Sequence, residues 1–236
     1  MSRSPIARLS DVHAVLPFRS RDAAKTRLGL ALDPEERDVL VLGMLASTIR
    51  VLAGWPSCRR IHVVTSDYAV TDVVAHGLGS VVTASDPGTG LNDALRTGRD
   101  AAVAAGATAV LMLPADLPLL SDASLDRLLN AADATLAAGN GQPVVVIAPA
   151  DARTGTNALL LAPPLIIEPH FGPESFEAHL RAAAGAQASV QIIDDPLLGF
   201  DLDTPDDLER LDLARRLELE QIGDEIEDAL AFSQAG

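Results

Sequence analysis

The fold this sequence predicts is a three-layer α/β/α domain, a doubly wound and mainly parallel sheet with helices on both faces, and three observations carry that prediction. Short apolar runs alternate along the chain with stretches of helical period, the pattern of repeated βα units. Aromatics are only 3% of a chain that is 48% hydrophobic, so the interior is filled by Leu, Val, Ile and Ala, which suits a sheet buried under alanine-rich helices and not a β-sandwich. The third observation is the charge-free run Ala107 to Leu113, which leads into Pro114-Ala115-Asp116-Leu117-Pro118. It reads as a central strand that ends on a carboxylate, with a helix-start signal following at Ser121-Asp122.

The elements follow in order. Val12 to Leu16 is the first strand, and a helix from Pro34 to Leu52 has Asp33 as its N-cap and Val39, Leu42, Leu45 and Ile49 along one stripe. Ile61 to Thr65 is a strand, Ala69 to His76 a short helix, Val81 to Ala84 a strand and Leu91 to Ala104 a helix. After the central strand come a helix over Ser124 to Ala137, strands at Val144 to Ile147 and Ala158 to Leu161, a strand at Val190 to Ile193 and a helix from Pro205 onward. Residues 1–217 form a single domain in this reading. Residues 218–236, with Gly223-Asp224-Glu225 and Glu227-Asp228, form a peripheral acidic helix with a frayed end.

Composition excludes several functions. A formal charge of -15 argues against binding a nucleic-acid backbone, which calls for basic patches. A small phosphorylated substrate is still compatible, because a few local cations and Mg²⁺ reverse the field inside one cleft. The single cysteine, Cys58, allows neither an internal disulfide nor a cysteine-based zinc site and fits a reducing compartment. Without an apolar run of about 18 residues or a signal-peptide core, the expected setting is cytoplasmic.

Six polar segments interrupt the pattern, most of them at places where an α/β sheet binds ligands, the C-terminal edges of its strands. Pro17 to Leu28 carries Arg19, Arg21, Lys25 and Arg27 directly after the first strand, an anion site in an acidic chain, although the glycine pattern of a P-loop is absent. Asp86-Pro87-Gly88-Thr89-Gly90-Leu91-Asn92-Asp93 opens a helix; its glycines allow close backbone approach, and Asn92 offers a donor and an acceptor to a base edge. Asp116 is placed to hold a metal, or is an ordinary turn residue. Asp151 to Asn157 supplies hydroxyls, an amide and Arg153, while Phe171-Gly172-Pro173-Glu174-Ser175-Phe176 puts Ser175 at a helix start whose free N–H groups attract anions. Asp201 and Asp203, two apart in an extended segment, share a face; Thr204, Pro205, Asp206 and Asp207 are explained by helix capping and the helix dipole.

Taken together, Pro17 with Ala24-Lys25-Thr26-Arg27-Leu28, Gly90-Leu91-Asn92, Asp116-Leu117-Pro118-Leu119, Gly155-Thr156-Asn157-Ala158-Leu159 and Asp201-Leu202-Asp203-Thr204-Pro205 resemble the 2-phospho-L-lactate/phosphoenolpyruvate guanylyltransferase family of coenzyme F-420 biosynthesis. The resemblance runs to about Leu211. It implies a glycosyltransferase-A-like, Rossmann-related nucleotidyltransferase that moves GMP from GTP to a small phosphorylated three-carbon acid and passes the product to a deazaflavin-modifying transferase, with a homodimer as the default assembly. By that similarity Arg19, Lys25 and Arg27 hold the triphosphate, Gly90 and Asn92 lie near guanine, and Thr156, Asn157, Gly172 and Ser175 surround the acceptor. Asp116 ligates Mg²⁺ together with Asp201 or Asp203.

The acceptor's phosphate is already an oxyanion, so no side-chain nucleophile is needed; Lys25, Arg27 and Asp116 are the catalytic candidates because charge neutralisation and positioning are the work to be done. Three acceptors stay open, 2-phospholactate, phosphoenolpyruvate and 3-phosphoglycerate, and the Thr156-Asn157-Ala158-Leu159 form resembles members assigned to phospholactate. Two rivals stay open as well. A molybdenum-cofactor-type nucleotidyltransferase would share the aspartate elements but begin with a Gly-rich loop that this chain lacks, and a non-catalytic GTP-binding module would use the same fold.

Overall fold

The computed structural model describes residues 9–18, 26–76, 78–139, 142–151 and 153–234. Its centre is a sheet of strands β1 (Val12–Pro17), β2 (Cys58–Thr65), β3 (Val81–Ser85), β4 (Ala109–Met112), β5 (Val144–Pro149), β6 (Thr156–Ala162) and β7 (Ser189–Ile192), in the order β3-β2-β1-β4-β6-β5-β7. All neighbours run parallel except β6, which is antiparallel to both β4 and β5. That reversal matters for the site, because it brings the first residues of β6 to the edge where β4 and β5 end: Thr156 pairs with Pro149.

Alternation along the strands sorts the core onto two faces. Val12, Ala14 and Leu16 turn to a layer built from α1 (Pro34–Gly54) and α4 (Asp122–Ala138), whereas Val15, Val64, Val110 and Met112 turn to α3 (Leu91–Ala104) and α5 (Ser175–Gly185). β4 is buried at every position, as a central strand covered on both faces must be. The start of α1 follows from its first residues: Asp33 and Glu36 form a reciprocal capping box around Pro34. Short helices α2 (Tyr68–Val74), α6 (Pro196–Gly199) and α7 (Pro205–Arg210) complete the connections, and α8 (Leu213–Gln234) ends the described chain.

The C-terminal segment departs from expectation. The seam expected at 217/218 falls inside an unbroken helix, and Leu219, Ile226 and Leu230 of α8 are buried in the main core. The helix expected there is found, but it is packed into the core and not peripheral, and its glycine is the contact. A Cβ on Gly223 would stand 1.9 Å from the carbonyl oxygen of Val39 in α1, and one on Gly43 would stand 1.9 Å from that of Leu219 in α8. The two helices therefore cross backbone against backbone. Arg215 adds a polar tie, donating from Nε to the Pro118 carbonyl at 2.7 Å and from Nη2 to Ser47 Oγ at 2.7 Å.

At the start of β1 and within β2, His13 and His62 form a buried pair, Nδ1 to Nε2 at 3.0 Å with the rings stacked. Burial, then the neighbouring His13 and Arg60, push His62 down to about 4. His13 is lowered chiefly by burial and by Arg60, with Asp11 opposing and Arg59 adding. A folded pKa below the unfolded value of about 6.5 means that the stability held by neutral imidazole is complete above pH 6.5 and is lost as pH falls toward 4. The urea midpoint should fall across that interval, and more shallowly in a His62→Phe chain. Equal slopes would place the acid sensitivity elsewhere.

Candidate active site

The site forms where the chain leaves β4 and begins β6. Leu202 donates its backbone N–H to the carbonyl oxygen of Asp116 at 3.2 Å, which stitches the segment before α7 to the segment after β4. Asp201 is thereby brought against Asp116. Burial raises the Asp201 pKa, and the charges of Asp116 and then Asp203 raise it further. The buried amide of Asn157 holds this arrangement, with Nδ2 donating to the carbonyls of Leu198 at 2.9 Å and Gly199 at 3.1 Å and reaching Asp201 Oδ1 at 3.4 Å. Asn157, expected at the acceptor, thus enters the site through the carboxylate it steadies. Below it, Asp195 caps α6 and is gripped by Arg127 at 2.6 Å.

Helix capping separates the helices that frame the cleft from the others. Asp33, Asp67, Ser121, Asp195 and Thr204 cap α1, α2, α4, α6 and α7, but the N-caps of α3 and α5, Gly90 and Glu174, make no side-chain cap bond. At α5 the first N–H, that of Ser175, is bonded to the Gly172 carbonyl at 3.2 Å, and otherwise the leading N–H groups of α3 and α5 have no side-chain cap, the condition in which a helix start attracts an anion. Gly90, at φ 126°, and Gly172, at φ 120°, take the chain into these helix starts in a conformation that side chains rarely allow.

A strap from Pro163 to Glu174 lies along α3 and α5 and carries Gly172. Arg99, only 4% exposed, pairs with Glu168 at 3.1 Å. Asn92 clamps Phe171 from both sides, Nδ2 donating to its carbonyl at 2.9 Å and Oδ1 accepting its N–H at 2.7 Å. Both ends of its amide serve the strap. His179 accepts the N–H of His170 at 2.9 Å and lies 3.0 Å from Thr156 Oγ1. Ser175, 1% exposed, has its Oγ buried and without a hydrogen-bond partner among the described residues.

A cavity of about 310 Å³ opens between the ends of β1 and β3 and the start of α3, lined by Pro17, Phe18, Asp86, Leu91 and Ala94. Its size and mixed lining suit a nucleoside. Asp86 and Phe18 were not singled out as site residues from sequence, although each directly follows a strand at its C-terminal edge, the signal that could have found them. Arg27 is exposed in the 3-10 turn Thr26–Leu30. Arg19 and Lys25 lie outside the described residues.

Comparison with known proteins decides the family. The profile described as "Guanylyl transferase CofC like" matches residues 12–214. The chain belongs to this family. A phosphoenolpyruvate guanylyltransferase of Rubrobacter xylanophilus is 45% identical over 201 residues, 85% of this chain and 93% of its own. A 3-phospho-D-glycerate guanylyltransferase of Colwellia psychrerythraea is 31% identical, over 84% of this chain and 90% of its own. The fold is shared more widely: a Desulfovibrio desulfuricans G20 protein assigned to the nucleotide-diphospho-sugar transferases superposes with a TM-score of 0.69 at 18% identity, covering 94% of this chain and 96% of its own. A nucleotidyl transferase of Methanothermobacter superposes with a TM-score of 0.59 at 19% identity, covering 89% and 98%. As a CofC-like guanylyl transferase the chain is a nucleotidyltransferase of glycosyltransferase-A-like fold. The family match closes at residue 214, so nearly all of α8 lies beyond it. Among the described residues, no helix is long and apolar enough to cross a membrane.

Proposed function

We propose that this chain transfers GMP from GTP to phosphoenolpyruvate and releases pyrophosphate. The observation that carries the reading is the negative charge of Asp116 held against Asp201, in a chain where α3 and α5 have no side-chain cap at their N-termini. Such a cleft suits a cation and anionic ligands together.

No set of three or more His, Cys, Asp or Glu side chains among the described residues is grouped to hold a metal. The donor set is instead a carboxylate pair with Asp203 near enough to be felt, which fits Mg²⁺, an ion that binds through one or two carboxylates and completes its shell with water and substrate phosphates. Asp116 and Asp201 would hold it, and when bound it would supply charge neutralisation at the phosphate oxygens.

The residues of the chain then divide the work. The cavity lined by Pro17, Phe18, Asp86, Leu91 and Ala94 receives the nucleoside. Arg27, Arg19 and Lys25 are the cations assigned to the triphosphate by the family resemblance, and Gly90 opens the start of α3 to it. Gly172, Ser175 and Thr156 receive the acid at the start of α5. An oxygen of the acceptor's phosphate forms the new bond to the α-phosphorus as the bond to pyrophosphate breaks, so no proton has to be removed from the nucleophile. Relatives named for phosphoenolpyruvate and for 3-phosphoglycerate turn the phospholactate hint toward phosphoenolpyruvate, the acceptor named for the 45% identical relative. In the coenzyme F-420 route that the resemblance implies, the product goes on to a deazaflavin-modifying transferase.

The test is pyrophosphate release from GTP and Mg²⁺ with phosphoenolpyruvate, 2-phospho-L-lactate or 3-phosphoglycerate, using ATP and CTP as controls and a deazaflavin acceptor enzyme to trap a labile product. Release is expected with GTP and phosphoenolpyruvate. GTP bound without turnover on any acceptor would overturn the reading.

A further inference from the structure

His179 lies in the second turn of α5 with no exposed surface, and its surroundings fix its protonation. Nε2 accepts the backbone N–H of His170 at 2.9 Å. A ring nitrogen that accepts carries no proton, so the N–H of the neutral ring is at Nδ1, 3.0 Å from Thr156 Oγ1. An imidazolium would set two N–H donors against each other at Nε2, and burial holds the ring neutral by pushing its pKa down to about 4. The edge of the ring pair with Phe171, 5.2 Å between centroids, helps fix its orientation.

The consequence falls on Thr156. Its oxygen accepts from His179, so its own proton must leave in another direction, and among the described residues the hydroxyl makes no further hydrogen bond. Ser175 is one helical turn before His179 on the same face of α5, and its buried Oγ has no hydrogen-bond partner among the described residues. Thr156 and Ser175 are thus two hydroxyls on facing elements, one of them with its proton direction set from behind.

We infer that His179 is a positioning residue for the acceptor: it donates from Nδ1 to Thr156 Oγ1 and so commits the Thr156 proton to an oxygen of the bound phosphorylated acid. This rests on the guanylyl-transfer reading above. The same imidazole holds His170, so it must be separated from a merely structural role, and the two ring nitrogens allow that. His179→Gln can keep an acceptor for the His170 N–H but offers no donor at the Nδ1 position. His179→Asn keeps a donor toward Thr156 and gives up the acceptor.

Steady-state pyrophosphate release, with acceptor and GTP varied separately, reads the difference. His179→Gln is expected to raise the acceptor KM about tenfold, the loss of one hydrogen bond to an anion, with the GTP KM unchanged. His179→Asn should stay within about threefold of the parent. Thr156→Val should raise the acceptor KM by a similar factor, and Thr156→Val combined with His179→Gln no further, since both remove the same donor. A rise with Asn and none with Gln would show that His179 serves only the strap and would overturn the inference, as would silence in both or an additive double variant. If the parent chain turns over no acceptor, the underlying function falls and this role with it; parent turnover with an unmoved acceptor KM removes this role alone.

Discussion

Asp201→Asn should lower GMP transfer by about 10²–10³-fold and, at pH 7, raise the urea concentration needed to unfold the chain. The two effects have one cause. Burial and the charges of Asp116 and Asp203 raise the Asp201 pKa, so the folded state holds the ionised carboxylate against its preference. For an acid raised in this way the cost is present at pH values above the folded pKa and disappears as pH falls below the unfolded value of about 3.9. A neutral amide removes that cost at pH 7, while the positioning of cation and phosphates is lost. The hydrogen bond from Asn157, at 3.4 Å, offsets only part of the repulsion. Measured together, activity and unfolding distinguish a functional carboxylate from a structural one. An inactive variant that also unfolds more easily would mean that Asp201 supports the turn and not the chemistry.

The second large effect is remote from the cleft. Gly223→Ala is expected to cost ~2–3 kcal/mol and to lower Tm by about 5–10 °C in a domain of this size. Its Cβ would meet the Val39 carbonyl oxygen at 1.9 Å, and because the obstacle is backbone no side-chain rotation can relieve it. The helices must part, and Leu219, Ile226 and Leu230 lose packing in the main core. kcat at 25 °C should stay within about threefold of the parent. Gly43→Ala tests the same crossing from the other helix. Thermal unfolding of both variants unchanged from the parent would mean that α1 and α8 do not pack this closely in solution.

Periodicity made most of the fold legible. α3 was expected at Leu91 to Ala104 and is found there, because its apolar positions recur at helical spacing and Gly90 marks its start. The strand ahead of Asp116 was legible because nothing polar interrupts Ala109–Met112. The alternation of Asp201 and Asp203 pointed to a shared face, and the charges of Asp116 and Asp203 both act on Asp201. What escaped were pairings between residues far apart in the chain. Asn92 and Phe171 are separated by 79 positions, and no local pattern tells an amide that clamps a strap from one that waits for a base. Thr156 and His179 pose the same difficulty, and a histidine isolated in sequence gave no sign of its partner. In α8 the helix was legible but its packing was not, since a glycine among acidic residues gives no sign of the helix it faces.

That crossing also orders events in time. α1 is complete at Gly54, but the partner that lies on Gly43 begins at Leu213, roughly 160 residues later. At about 5–20 residues per second, a ribosome takes some 8–30 s to supply it. Throughout that interval the backbone stripe of α1 at Val39 and Gly43 faces the surroundings of a nascent chain, and it is covered only when α8 leaves the exit tunnel. The helix that covers this stripe is made long after the helix that needs it.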